Sequence, residues 1–226
     1  MSRFREGLDT LLLDAGNCII YLDHAALGAL TGLDPEVLAD KEGVAKRVYE
    51  EFLSKHADHD PAWEILMKAL LSEAGSKAVD ADYAIVLEAH TEKNLWRRVP
   101  PELPDALRRI RAAGWKTGVV SNSEGRLIDI LREVQVADLF DTIVDSGVEG
   151  VSKPDPRIFE LALARLGSSA ERAIYAGDVP NVDVVGARAA GVEAVLIDTL
   201  EHYPEYADAP RYRTTAELIG DLLSPS

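Results

Sequence analysis

Ala173-Ile174-Tyr175-Ala176-Gly177-Asp178-Val179-Pro180-Asn181-Val182-Asp183-Val184-Val185-Gly186-Ala187 is the stretch whose reading decides the fold. The run Ala173 to Ala176 is short and apolar, which suits a buried strand better than a helix. A polar turn follows, and Val182 to Ala190 has helical spacing. Two carboxylates five residues apart thus fall at a strand end and a helix start. Working back from there, Arg157 to Leu166 reads as a helix stopped by Gly167, Thr142 to Val144 as a short strand and Arg126 to Val134 as a helix. Trp115 to Val120 reads as a strand, and Leu103 to Ala113 as a helix ended by Gly114. Working forward, Ala194 to Ile197 is a strand and Ala216 to Leu223 a closing helix, with a polar, proline-bearing tail between Glu201 and Arg213. Strands alternating with helices of this length predict parallel pairing with crossover helices.

The apolar run Leu11-Leu12-Leu13 adds one more strand near the N-terminus. From about Asp23 to Trp96 the pattern changes. Apolar residues recur at helical spacing at Val37, Leu38, Val44, Val48 and Phe52, and again at Trp63, Leu66, Met67, Leu70 and Leu71. Asp34-Pro35 and Asp60-Pro61 read as helix starts, and Gly75 as the residue after a helix end. No strand is evident there. We expect an α/β chain: a Rossmann-like parallel sheet core from residues 1–20 and 97–226, with an all-helical insertion, residues 21–96, after the first strand.

Composition narrows the partners. The 226 residues carry 24 Lys and Arg against 39 Asp and Glu, a formal charge of −15. Nucleic acid and anionic membrane surfaces attract basic proteins, so neither is expected as a partner. A single cysteine, Cys18, cannot form an internal disulfide, and the N-terminal residues lack the apolar run of a signal peptide. These features predict a cytoplasmic protein, monomer or homodimer.

Ligands of parallel sheets sit beyond the C-terminal ends of the strands, and four polar segments fall there. Asp14 follows the first strand, where a carboxylate can attack phosphorus and form an acyl-phosphate; Asp-Ala-Gly-Asn is equally a plausible turn. Ser121-Asn122-Ser123 follows the second strand. Its hydroxyl and amides can hold phosphate oxygens, and it serves as well as a helix N-cap. Lys153 lies between Ser152 and Pro154, with Pro156 beyond. Held there, its charge can offset a nucleophile and a phosphate, although Pro156 also suits the first turn of a helix. Asp178 and Asp183 can hold a hard cation such as Mg²⁺, which takes one or two carboxylates and completes its shell with water and phosphate. Asp183 alone could instead be a favourable acid in a helix's first turn.

The order hhhDxG, hhSN, a KP-containing segment and GDxxxxDxxGA, where h is an apolar residue, resembles the haloacid dehalogenase superfamily from about Leu8 to Leu223. The helical insertion resembles that superfamily's C1 cap. The resemblance implies a Mg²⁺-dependent phosphatase of a small phosphorylated metabolite. Asp14 would be nucleophile and metal ligand, with Gly16 adding its backbone carbonyl and Asp178 its carboxylate. Ser121 and Asn122 would bind the phosphoryl group. Lys153 would neutralise nucleophile and phosphate, and Asp183 would orient a metal-bound water or Lys153.

The chain departs from the pattern at Gly16, where the superfamily's phosphatases usually carry a second aspartate that protonates the leaving group. General acid–base help is typically worth about 10²–10⁴-fold, so simple sugar phosphates are expected to react slowly. His56 or His59 could supply the proton. Asn17 stands in place of the commoner glycine and Cys18 in place of threonine. The missing acid also fits a 2-haloacid dehalogenase, against which Asp178 argues. It fits a catalytically silent relative that binds phosphometabolites as well. A phosphonatase-type hydrolase would need a Schiff-base lysine, for which Lys41, Lys46 and Lys55 are available.

Overall fold

The computed structural model describes residues 4–55 and 62–224. Along the chain run β1 (Thr10–Leu13), β2 (Tyr21–Leu22), α1 (His24–Thr31), α2 (Pro35–Lys55), α3 (Ala62–Glu73), α4 (Val79–Glu92) and β3 (Trp96–Arg98). Then follow α5 (Leu103–Ala112), β4 (Lys116–Ser121), α6 (Leu127–Glu133), β5 (Thr142–Asp145), α7 (Ser146–Glu149) and α8 (Pro156–Leu166). The chain closes with β6 (Ala173–Gly177), α9 (Val185–Ala189), β7 (Glu193–Ile197), β8 (Arg211–Tyr212) and α10 (Thr215–Leu222). Contacts divide it into two units, Met1–Tyr21 with Arg97–Ser226, and Leu22–Trp96.

The first unit is the expected Rossmann-like α/β fold. Its six-stranded sheet has the order β5-β4-β1-β6-β7-β8, and every neighbouring pair is parallel. All four residues of β1 are buried, as a central strand covered on both faces requires. Leu13 lies level with Val119 of β4 and Ala176 of β6, and Ser121 with Asp145 of β5. The strands therefore end together, and the chain departs to either side of β1, which is where such sheets bind ligands.

Packing dictates several residues. A Cβ on Gly118 would lie 2.8 Å from Leu12 Cδ2 and 2.9 Å from Thr142 Cγ2, so any larger residue here would make those side chains shift. Helix α8 starts at the Asp155 cap, which accepts from the Arg157 amide, with Pro156 in its first turn, and stops at left-handed Gly167. Its buried residues Ile158, Phe159, Ala162, Leu163 and Leu166 form one stripe against β4 and β5. Burial of a side chain such as Phe159 contributes about 1.5–3 kcal/mol.

The polar, proline-bearing tail carries one short strand that was not read from the sequence. Arg211–Tyr212 joins the sheet edge as β8, and the Asp198 carboxylate accepts from the His202 and Tyr203 amides. Two residues of strand give too little periodicity to read in advance.

The second unit is helical. Leu22, Leu27, Leu38, Leu66, Met67, Leu70, Leu71, Val86 and Leu95 form its core, and Trp63 stacks on His90 at 4.1 Å. Asp23 caps α1 through the Ala26 amide. Helix α2 begins at Pro35, as its sequence predicts, but its buried face differs from the apolar spacing. Val37 and Val48 are exposed, whereas Leu38, Glu42, Ala45 and Lys46 are buried. One oxygen of Glu42, Oε2, meets His24 Nε2 at 2.7 Å, whereas Oε1 is buried without a hydrogen-bond partner among the described residues. The short β2 and β3 pair as a two-stranded sheet at the edges of the segment where no strand was evident. Asp60-Pro61, His56 and His59 lie outside the described residues. Among the described residues, no helix is long and apolar enough to cross a membrane.

Candidate active site

Asp14 continues β1 by one residue, and its amide bonds to Ala176 O of β6 at 2.9 Å. The chain then turns sharply. Ala15 O accepts from both Ile19 and Ile20 amides, and Asn17 N reaches Ile20 O. Asn17 sits at φ +53°, the left-handed region that asparagine tolerates better than most residues. Its side chain has a further use: Nδ2 donates to Asp178 Oδ2 at 2.9 Å. The Gly16 carbonyl accepts no backbone hydrogen bond among the described residues, which leaves it available to a ligand. Cys18 is a buried thiol whose backbone carbonyl accepts from Thr215 Oγ1.

Lys153 arrives from 139 residues away and places Nζ 2.7 Å from Asp14 Oδ1. The same nitrogen lies 2.7 Å from Asp183 Oδ1 and 2.8 Å from the Tyr175 hydroxyl. Its loop is held at both backbone atoms by Asn122: Lys153 N donates to Asn122 Oδ1 at 2.8 Å, and Asn122 Nδ2 donates to Lys153 O at 3.0 Å. The amide side chain of Asn122 is thus occupied in fixing Lys153, and only its backbone faces the task the sequence suggested. The next residue, Pro154, packs on Gly186, where a Cβ would come within 2.9 Å of Pro154 Cα and of Phe159 Cε2. This is the physical reason for a glycine in the second half of the GDxxxxDxxGA pattern.

Asp183 lies in a π-turn, Pro180–Val184, rather than in a regular first turn of α-helix; such turns recur at functional sites. The Asp183 carboxylate fills the space above Gly177, where a Cβ would stand 2.3 Å from Asp183 Cγ. Oδ2 accepts from the Asp178 amide at 3.0 Å and the Val179 amide at 2.8 Å. Oδ1 accepts from Tyr175 at 2.7 Å and from Lys153. Four donors occupy it, so Asp183 holds the loop and the lysine in place.

Asp14, Asp178 and Asp183 each offer an oxygen within 4.8 Å of the others. With Asp183 engaged, Asp14, Asp178 and the Gly16 carbonyl are the donors left for a cation. They are hard oxygens, as Mg²⁺ requires. Three carboxylates and one ammonium leave two negative charges, which one divalent cation would balance. The residues present therefore fit Mg²⁺.

Burial shifts these groups strongly. It pushes Asp14 up to about 6, opposed by the Lys153 charge and reinforced by Asp183 and Asp178. Burial works the same way on Asp183, but Lys153, Tyr175 and the Val179 amide outweigh it and hold this acid below the ordinary carboxylate range. Lys153 stays charged: burial disfavours the ammonium, and the Asp14 and Asp183 charges more than offset it. Burial, then the Asp183 and Asp14 charges, keep Tyr175 a neutral phenol.

Ser121 closes β4 and is buried, and two residues on, the Ser123 Oγ is buried without a hydrogen-bond partner among the described residues. Sequence reasoning passed over Asp145. Its carboxylate accepts from the Gly125, Leu127 and Gly147 amides, which ties down the loop that follows Ser121 and Asn122. The signal was an aspartate at a strand end beside Ser146-Gly147. Tyr175 was passed over too, because an aromatic in an apolar strand reads as core.

The haloacid dehalogenase-like hydrolase family matches residues 8–191. A glyceraldehyde 3-phosphate phosphatase of Methanothermobacter thermautotrophicus is 27% identical over 193 residues, covering 85% of this chain and 83% of its own. Among solved structures, a Bacillus subtilis HAD-hydrolase described as bound to magnesium superposes with a TM-score of 0.68 at 20% identity, over 97% of this chain and 100% of its own. A 2-haloacid dehalogenase of Pseudomonas syringae superposes with a TM-score of 0.56 at 20% identity, over 95% and 98%.

Proposed function

The chain belongs to the haloacid dehalogenase-like hydrolases, and from that premise we propose that it is a Mg²⁺-dependent phosphatase of a small phosphorylated metabolite, with Asp14 as nucleophile. One observation carries the reading: Lys153 Nζ sits 2.7 Å from Asp14 beside a carboxylate cluster that retains Asp178. The phosphatase activity of the Methanothermobacter relative supports it, as does the magnesium described in the Bacillus structure. We read the helical unit Leu22–Trp96, which follows the first strand in the chain, as the counterpart of the family's cap.

An oxygen of Asp14 forms the new bond to phosphorus, and the ester oxygen departs with the electrons of the bond that breaks. Water then attacks the acyl-phosphate and restores the carboxylate. Lys153 holds the Asp14 carboxylate in one orientation and offsets the charge gathering on the phosphoryl group. The Ser121 hydroxyl and the backbone amides after it bind the non-bridging oxygens. When bound between Asp14, Gly16 and Asp178, Mg²⁺ supplies electrophilic polarisation of the phosphoryl oxygens.

Gly16 brings no proton to the leaving group, so leaving groups stable as anions are favoured. With Mg²⁺, p-nitrophenyl phosphate and acetyl phosphate are expected to turn over at least about 10²-fold faster than an alkyl phosphate, the minimum that general acid help is typically worth. Asp14→Asn is expected to abolish all three activities. Comparable turnover of the alkyl phosphate would refute the leaving-group argument, and an active Asp14→Asn would refute the nucleophile. Gly16 also favours a second reading, a 2-haloacid dehalogenase. Metal-independent halide release from 2-chloropropionate would establish that one instead.

A further inference from the structure

An ammonium has three N–H donors, and all three of Lys153 are engaged inside the protein, on Asp14 Oδ1, Asp183 Oδ1 and the Tyr175 hydroxyl. A phosphoryl group brought to Asp14 comes within reach of the same nitrogen, which has no proton left to give it. One of the three partners must yield. Charge-assisted bonds to carboxylates are the stronger kind, so the neutral phenol is the partner that gives way.

Tyr175 is built to hold that third proton. It lies on the central strand β6, fully buried, with its ring edge-on to Phe159 at 4.9 Å and 87°. Its single hydroxyl hydrogen has Asp183 Oδ1 at 2.7 Å, with Val120 O farther off at 3.2 Å. The phenol oxygen therefore faces Lys153 as an acceptor. We propose that Tyr175 is a positioning residue that competes with the phosphoryl group for the third N–H of Lys153, and so keeps binding of phosphate, the product, weak. This inference rests on the phosphatase reading above.

Removal of the hydroxyl leaves a buried ammonium donor without a partner, which a phosphate oxygen can then satisfy. Tyr175→Phe is expected to bind inorganic phosphate, in the presence of Mg²⁺, roughly tenfold more tightly by titration calorimetry, because a hydrogen bond to a charged donor is worth about that factor or more. The KM for p-nitrophenyl phosphate should fall with it, and kcat should not rise. A merely structural role would move phosphate affinity the other way. Should the phenylalanine variant fail to fold, a fluorinated tyrosine incorporated at 175 keeps the shape and weakens the oxygen as an acceptor. It too should tighten phosphate binding. If the wild type with Mg²⁺ does not turn over p-nitrophenyl phosphate, the phosphatase reading falls and takes this inference with it. If the wild type turns it over and neither variant binds phosphate more tightly, the Tyr175 inference alone is overturned.

Discussion

Replacement of Asp183 by asparagine changes one atom, and its effect can be worked out from the hydrogen bonds. Oδ1 accepts from Lys153 and Tyr175, and Oδ2 from the Asp178 and Val179 amides. An asparagine has one oxygen and one NH₂. Whichever way it is turned, two donors face the NH₂ and lose their acceptor. Each buried donor left unsatisfied costs about 1–3 kcal/mol, so the substitution should destabilise the protein by about 2–6 kcal/mol. A domain of this size loses roughly 2–4 °C per kcal/mol. At about 4 kcal/mol, the thermal midpoint followed by circular dichroism without Mg²⁺ should therefore fall by about 8–16 °C. The pH dependence gives a second check. Asp183 is held below its ordinary value of 3.8, so its contribution is present above that value and is lost as the pH falls through the lower, folded value. The stability gap between wild type and Asp183→Asn should be full at neutral pH and close as carboxylates protonate. A drop in midpoint of under about 2 °C at neutral pH would refute the reasoning, since no two buried donors could then have been orphaned.

Gly177→Ala should reach the same network by another route, because its Cβ would stand 2.3 Å from Asp183 Cγ and force the carboxylate off its donors. We expect a loss of about 2–4 kcal/mol, non-additive with Asp183→Asn in a double-mutant cycle; strict additivity would show that the two act separately. Asn17→Gly keeps the positive φ without strain but removes the donor to Asp178. Mg²⁺ affinity by calorimetry should fall about 10–100-fold, as for other outer partners of metal ligands, and an unchanged affinity would show that Asn17 has no orienting role.

The sheet was legible because its strands are buried on both faces and so read as uninterrupted apolar runs between helix stops such as Gly167. The residues at the strand ends were legible for a related reason: a carboxylate such as Asp14 or Asp178 directly after an apolar run stands out against its surroundings. What each group does with its hydrogen bonds was less visible. Asn122 looked like a phosphate ligand, yet its side chain grips the backbone of Lys153, 31 residues on. Spacing carries no information about such a partner. Asp183 matched both a helix-start acid and a group orienting a metal-bound water or Lys153, and only the π-turn over Gly177 shows four donors converging on it. Helix α2 misled in its register because a buried polar pair, Glu42 with His24 Nε2 at 2.7 Å, takes a place that a periodicity argument assigns to apolar groups.

The grip of Asn122 on Lys153 has a consequence for how such an enzyme can change over evolutionary time. The strand end that carries Ser121 and the loop that carries Lys153 are pinned to each other through the backbone N–H and C=O of one residue, so neither can drift without dragging its companion. Mutations that retune this region should then be tolerated in pairs more readily than singly, and a graft of either segment into another scaffold should fail unless Asn122 travels with it.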